Sequence, residues 1–241
     1  MPYKKIPLVV IIPAAGIGKR MKANCPKQYL KINQTTILEH TVTRLASHPM
    51  INKIIIALGA EDEYFAKTHL SEQAKVFVVD GGKERVDSVL AGLNIIDPNE
   101  FPWVLVHDAA RPCLALNDLD SLIEACLAEN IGGILASPVR DTMKRGKDFL
   151  IQATVEREDL WHALTPQMYP TTQLKTSIEQ ALDAQAVITD EASAIEFSGG
   201  KSQLISSSSE NIKITHPDDL ALAEFIINKQ LSTNVNIQEN Q

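Results

Sequence analysis

Short apolar, β-branched runs alternate along this chain with stretches of helical periodicity, and that alternation leaves few folds open. "LVVII" (8–12), "KIIIAL" (53–58), "KVFVV" (75–79), "WVLVH" (103–107) and "GGILAS" (132–137) read as fully buried strands. Between them "TILEHTVTRLASH", "ERVDSVLAGLNII" and "NDLDSLIEACLAEN" repeat apolar residues at i, i+3 and i+4, the spacing of one helix face. Such alternation predicts βαβ units: an α/β, Rossmann-like, mainly parallel sheet with helices on both faces. Ligands of these sheets sit beyond the carboxyl ends of the strands. The loops after residues 12, 79 and 107 should therefore share one surface. The rhythm breaks at 138–156, where apolar residues at 149, 151, 153 and 155 alternate around "RGKD", the pattern of a β-hairpin. A lone hairpin is marginal in water, so this protruding arm should pack on something further, a second subunit being one candidate. Helical patterns resume at 171–185 and about 190–197, and "HPDDLALAEFIINK" places Pro and two Asp in the first turn of a final helix. One domain over 1–230 is expected, with 138–158 as the arm and 231–241 as a polar, disordered tail. "SSSS" (206–209) reads as a flexible loop.

Charge is distributed unevenly. Residues 1–38 hold seven Lys/Arg and no Asp or Glu; since the whole chain is −7, the remainder carries −14. Four of those cations, Lys19, Arg20, Lys22 and Lys27, fall in "PAAGIGKRMKANCPKQ" (13–28), directly after the first strand. The acidic overall balance argues against a general nucleic-acid binder. No apolar run approaches the ~20 residues of a membrane span, and Pro13 cuts short any signal-peptide core. These features predict a cytoplasmic protein. Cys25, Cys113 and Cys126 are too few and too scattered for a disulfide framework or a CxxC metal site, and Cys25 reads as a spectator.

Four places carry chemistry. Ala14, Ala15, Gly16 and Gly18 remove side-chain bulk, so backbone N–H groups can form an anion nest. Arg20 adds a fork of donors and Lys27 a compact positive charge. A polyphosphate would explain both the missing bulk and the missing acids. The Walker A pattern is absent, and Gly16-x-Gly18-x-x is followed by Met21 rather than the dinucleotide fingerprint's Gly or Ala. In "VLVHDAARP" (104–112), Asp108 follows a buried strand, where a carboxylate facing a triphosphate suits Mg²⁺; His107 reads as packed rather than catalytic. In "VVDGGKERVDSVLAG" (78–92), Gly81-Gly82 opens a helix with Arg85 and Ser88 on it, leaving backbone groups to read a nucleobase edge. "ITDEASAIE" and "NIKITHPDD" supply Thr189, Asp190 and Lys213, the last at an expected strand end among apolar neighbours, where it needs an anion.

Together "PAAGIGKRM", "PKQYL", "DGGKERVDSVLAGL", "VLVHDAARP", "PVRDTMK", "LWHALTPQ", "ITDEASA" and "NIKIT" resemble the 2-C-methyl-D-erythritol 4-phosphate cytidylyltransferases of the non-mevalonate isoprenoid pathway. The resemblance runs from residue 13 to about 225. It implies attack of the substrate phosphate on the α-phosphorus of CTP, with pyrophosphate released. It further implies that Arg20 and Lys27 stabilise the five-coordinate phosphorus, assisted by Lys213, and that Asp108 binds Mg²⁺. Ala14, Ala15, Gly16, Gly82, Arg85 and Ser88 match the CTP site. Asp108, Arg111, Thr142, Arg157, Thr165 and Thr189 match the methylerythritol phosphate site. In such enzymes the arm exchanges within a homodimer, so Thr142 and Arg157 would serve the partner's site. Lys83 departs from the acidic residue expected after "DGG" in some relatives. The alternatives weighed against this reading are a ribitol-5-phosphate cytidylyltransferase and a non-catalytic CTP-binding regulator on the same fold.

Overall fold

A computed structural model describes residues 6–16, 21 and 24–238 of the chain. Its frame is a seven-stranded sheet: β1 (Leu8–Pro13), β4 (Ile51–Leu58), β5 (Val76–Asp80), β6 (Trp103–Val106), β7 (Gly133–Pro138), β10 (Trp161–Pro170) and β11 (Gln203–Ser206). The spatial order is β11-β7-β10-β6-β1-β4-β5. Only β10 runs antiparallel, against β6 on one side and β7 on the other. Two short strands, β2 (Lys31–Ile32) and β3 (Thr35–Thr36), pair separately.

β1 is apolar throughout because both of its faces are covered. Leu8, Val10 and Ile12 enter one core with Leu38, Val42 and Leu45 of α1 (Ile37–Ala46) and Leu119, Leu122 and Ile123 of α3 (Leu116–Glu129). Val9 and Ile11 enter the opposite core with α2 (Arg85–Asn94), α4 (Thr171–Asp183) and α5 (Glu191–Phe197). Gly92 is what lets α2 approach: a Cβ there would stand 2.9 Å from Ile11 Cγ2. A third cluster joins Ile226, Ile227 and Ala223 of α6 (Asp218–Gln238) to Ala110, Cys113 and Ile214. This cluster clamps the turn after β6 against the loop that carries Lys213.

Most of the expected strands and helices form, with differences at β5, β10, β11, residues 206–209 and the end of α6. β5 is not fully buried: it is the sheet edge, Phe77 and Val78 being 45% and 47% exposed, and the Lys53 ammonium lies 4.7 Å over the Phe77 ring. β10 and β11 are strands that the sequence pattern does not announce: Pro166 and Pro170 argue against a strand in the first, and the second is four residues long. "SSSS" is tied down, the Ser207 hydroxyl and the Ser208 N–H donating to Asp118 Oδ2 at 2.7 and 2.9 Å. α6 continues past residue 230 to Gln238, no Pro or Gly interrupting it.

The hairpin consists of β8 (Met143–Lys147) and β9 (Leu150–Val155), which among the described residues pair only with each other, in a separate two-stranded sheet. Phe149, Leu150 and Ile151 at its turn are exposed. Among the described residues no helix is long and apolar enough to cross a membrane.

Candidate active site

β1, β4, β5 and β6 are parallel neighbours, so their carboxyl ends open on one rim. The cleft there is lined by Ala14, Ala15 and Gly16 after β1, by Gly82 to Arg85 and Ser88 after β5, and by Asp108 after β6. Lys27 and Lys213 close it from two other segments.

The small-residue loop is held from behind. Gln28 is buried and donates through Nε2 to Ala14 O at 2.7 Å, and Ala14 N–H donates to Ala57 O at 2.8 Å. Gln28 shares a one-turn 3-10 helix with Lys27, so the same turn fixes the loop and aims the lysine. Lys27 Nζ donates to Ile214 O at 3.1 Å. Gly81 and Gly82 do not open α2, which starts at Arg85 behind a Glu84–Asp87 capping box. Nor are their amides free: Gly81 N–H donates to Leu58 O at 2.6 Å and Gly82 N–H to Ser88 Oγ at 3.1 Å. A Cβ at Gly81 would meet Ala15 Cβ at 2.7 Å, so a side chain there would push the two loops apart.

Asp108 is the electrostatic centre, its side chain only 9% exposed. Oδ1 lies 3.3 Å from Arg85 Nε; Oδ2 lies 3.3 Å from Arg111 Nε and 2.9 Å from Lys213 Nζ. Burial pushes its pKa up, but Arg85, Lys213 and Arg111 outweigh burial and hold it well below the usual carboxylate range. Arg85 is clamped on its other edge by Glu191, whose two oxygens accept from Nη1 and Nη2 at 2.6 and 3.1 Å. Burial lowers the Arg85 pKa, yet Glu191 and Asp108 together raise it, so the guanidinium stays charged.

Behind Asp108, Thr165 Oγ1 accepts from Asp108 N–H at 3.1 Å and lies 3.0 Å from His107 Nδ1. His107 Nε2 donates to Arg111 O at 3.0 Å. Burial lowers the His107 pKa to about 4, and the ring is a packed residue, as expected. The expectation for Lys213 needs correction. It does not end a strand but lies in an irregular loop, its partner being Asp108.

Ala14, Ala15, Gly16, Lys27, Gly82, Arg85, Ser88, Asp108 and Lys213 thus share one cleft, with Arg111 and Thr165 directly behind the carboxylate. Thr189 lines an adjoining depression with Arg85 and Glu191. Thr142 and Arg157 are exposed at the base of the arm and do not line the cleft; Arg157 Nη1 donates to Arg140 O. Arg20 lies outside the described residues, as do Gly18, Lys19 and Lys22. Lys83, set aside on the sequence, does line the cleft. Gln28 and Glu191 escaped sequence reading although both sit inside quoted stretches, "PKQYL" and "ITDEASA". Their partners, Ala14 and Arg85, are remote in sequence.

A mostly parallel α/β sheet with a small-residue loop after β1 and cations gathered round a carboxylate after β6 suits a nucleotidyltransferase, and the comparisons with known proteins give that class. The family model described as IspD, 2-C-methyl-D-erythritol 4-phosphate cytidylyltransferase, matches residues 8–229, and the chain belongs to that family. It is 62% identical over 231 residues to the enzyme of that name from Colwellia psychrerythraea, covering 92% of this chain and 95% of the relative. Identity to the Photobacterium profundum enzyme of the same name is 56% over 225 residues, covering 91% and 96%. Among solved structures, the Francisella tularensis enzyme of that name superposes with a TM-score of 0.78 at 36% identity, covering 91% of this chain and 99% of that one.

Proposed function

We propose that the chain transfers a cytidylyl group from CTP to 2-C-methyl-D-erythritol 4-phosphate in isoprenoid precursor synthesis. An oxygen of the substrate phosphate attacks the α-phosphorus of CTP. The bond from that phosphorus to the β-phosphate bridging oxygen breaks, giving 4-diphosphocytidyl-2-C-methyl-D-erythritol and pyrophosphate. The attacking oxygen is already ionised, so positioning and charge stabilisation carry the reaction. The observation that carries this reading is the placing of Lys27 and Lys213 on one cleft with the small-residue loop and Asp108. Lys27, together with Arg20 as the family resemblance implies, stabilises the charge building on the α-phosphorus, and Lys213 assists. Ala14, Ala15, Gly16, Gly82 and Ser88 receive CTP. Arg85, clamped between Glu191 and Asp108, orients the carboxylate at the edge of that site. Arg111, Thr165 and Thr189 surround the polyol phosphate.

Asp108 fits a divalent cation such as Mg²⁺. It is the carboxylate at the carboxyl end of β6 that would hold the ion, with phosphate oxygens and water as the remaining donors. When bound, the ion neutralises charge on the triphosphate.

The test is pyrophosphate release with CTP, Mg²⁺ and either methylerythritol phosphate or ribitol 5-phosphate. Turnover with the first is expected. Activity with ribitol phosphate alone would reassign the substrate, and CTP binding without turnover of either would make the chain a regulator.

The arm, apolar at an exposed turn and paired only with itself, supports a homodimer in which Thr142 and Arg157 reach the partner's cleft. Co-expressing Lys27→Ala with Arg157→Ala checks this. In a hybrid dimer with exchanged arms one site regains both residues, so the mixture should recover about a quarter of the wild-type rate. Arms serving their own cleft would leave every site defective and recover nothing.

A further inference from the structure

Asn211 is 2% exposed, and its Oδ1 is the buried side-chain polar atom without a hydrogen-bond partner among the described residues. An orphaned acceptor of this kind calls for a reason. The amide cannot be turned over to relieve it. Nδ2 donates to Thr165 O at 2.8 Å, and a carbonyl facing it can only accept. Thr165 falls in the irregular part of the β7–β10 ladder, between Ala163 and Gln167, so its carbonyl is left for Asn211. The main chain of Asn211 is tied as well, its O accepting from Arg111 Nη1 at 2.7 Å. Three residues on, Ile214 N–H donates to Ala110 O at 2.9 Å and Ile214 O accepts from Lys27 Nζ. Lys213 sits between these two anchors. Its side chain is 41% exposed and rests on Asp108, so packing alone does not place it.

We propose that Asn211 is a positioning residue: its side-chain amide pins the Lys213 segment to β10 and so sets the lysine against Asp108. This rests on the role given above to Lys213. Asn211→Leu, similar in shape, separates positioning from stability. It removes the orphaned Oδ1 and leaves Thr165 O unpaired, so one buried acceptor lacks a partner before and after. Melting temperature should therefore change little. kcat should fall about tenfold or more, since small misplacements of a reacting group are costly. KM for CTP should hold, because Ala14 to Gly16, Gly82 and Ser88 do not touch Asn211. In a Lys213→Ala background the same substitution should cost almost nothing further, because no ammonium is left to place. Asn211→Ala repeats the test without added bulk.

Wild-type kcat in folded Asn211→Leu and Asn211→Ala would overturn the inference. So would parallel losses of melting temperature and kcat that add to the Lys213→Ala loss, or unfolding of both variants. Wild-type kcat in Lys213→Ala alone would instead remove the role of Lys213, and this inference with it. A collapsed Lys213→Ala beside an unaffected Asn211→Leu would remove the inference alone.

Discussion

Lys27→Ala is expected to lose about 10²–10³-fold in kcat, the scale seen when one preorganised donor to a developing charge is removed, while the protein stays folded. The fold should survive because its neighbours in the turn hold the backbone without it. Gln28 is buried against Ala14 O, and Tyr29 stacks on Tyr64 at 5.2 Å with its hydroxyl donating to Asp62 at 2.7 Å. Burial raises the Tyr29 pKa, and the Asp62 hydrogen bond raises it further, so the hydroxyl remains a donor. What Ala removes is the ammonium at the cleft wall, whose bond to Ile214 O aims it between the β1 loop and the Lys213 segment. That charge is needed most when the α-phosphorus is five-coordinate, so kcat and kcat/KM should fall together. Lys27→Arg should recover part of the loss, since a planar fork does not reproduce a compact ammonium. Steady-state pyrophosphate release and a melting curve check both halves. Near-normal turnover in a folded Lys27→Ala protein would remove Lys27 from the chemistry.

The parts of the molecule that were legible in the sequence are those set by local pattern. β1 reads as buried because five successive apolar residues can be satisfied only where helices cover both faces. The same inference misplaced "KVFVV": an apolar run does not say whether a further strand lies alongside, and among the described residues β5 has none on its outer edge. β10 carries two prolines, and a proline is compatible with a strand only where its missing N–H is not required, which the ladder decides and the sequence does not. In the site, the acid-free basic stretch pointed to an anion pocket because charge is additive and visible. The clamp by Glu191 was not visible, since Arg85 and Glu191 are 106 residues apart. Family resemblance named Thr165, and the apolar neighbours of Lys213 marked that lysine, but neither showed what holds them; that information lies in Asn211 and the turn after β6.

Asp108→Asn should be the most damaging conservative change in the chain, in activity and in stability together. The amide keeps the shape and removes the charge that faces Arg85, Arg111 and Lys213. Arg85 still has Glu191 and Arg111 still has Asn211 O, so the pocket is not stripped bare, and half-exposed Lys213 can turn to water. Breaking a buried ion pair by neutralising one partner costs about 3 kcal/mol, and a loss of that order is expected at neutral pH. The pH dependence has a definite sign. The folded pKa of Asp108 is depressed, so its contribution is complete above the unfolded carboxylate's ~3.9 and is lost progressively as pH falls below that value towards the folded pKa. The gap in melting temperature between wild type and Asp108→Asn should thus be constant from pH 8 to about 5 and close as the solution becomes more acidic. Activity should fall by about 10²–10³-fold, some 3–4 kcal/mol of barrier, because Lys213 loses its rest position and, on the function proposed above, a divalent cation loses its protein carboxylate. The second effect has its own readout. Mn²⁺ binding to the CTP-loaded protein, followed by paramagnetic resonance, should weaken in Asp108→Asn. Unchanged Mn²⁺ affinity would leave Asp108 as an organiser of Arg85, Arg111 and Lys213, with the ion held by the triphosphate alone.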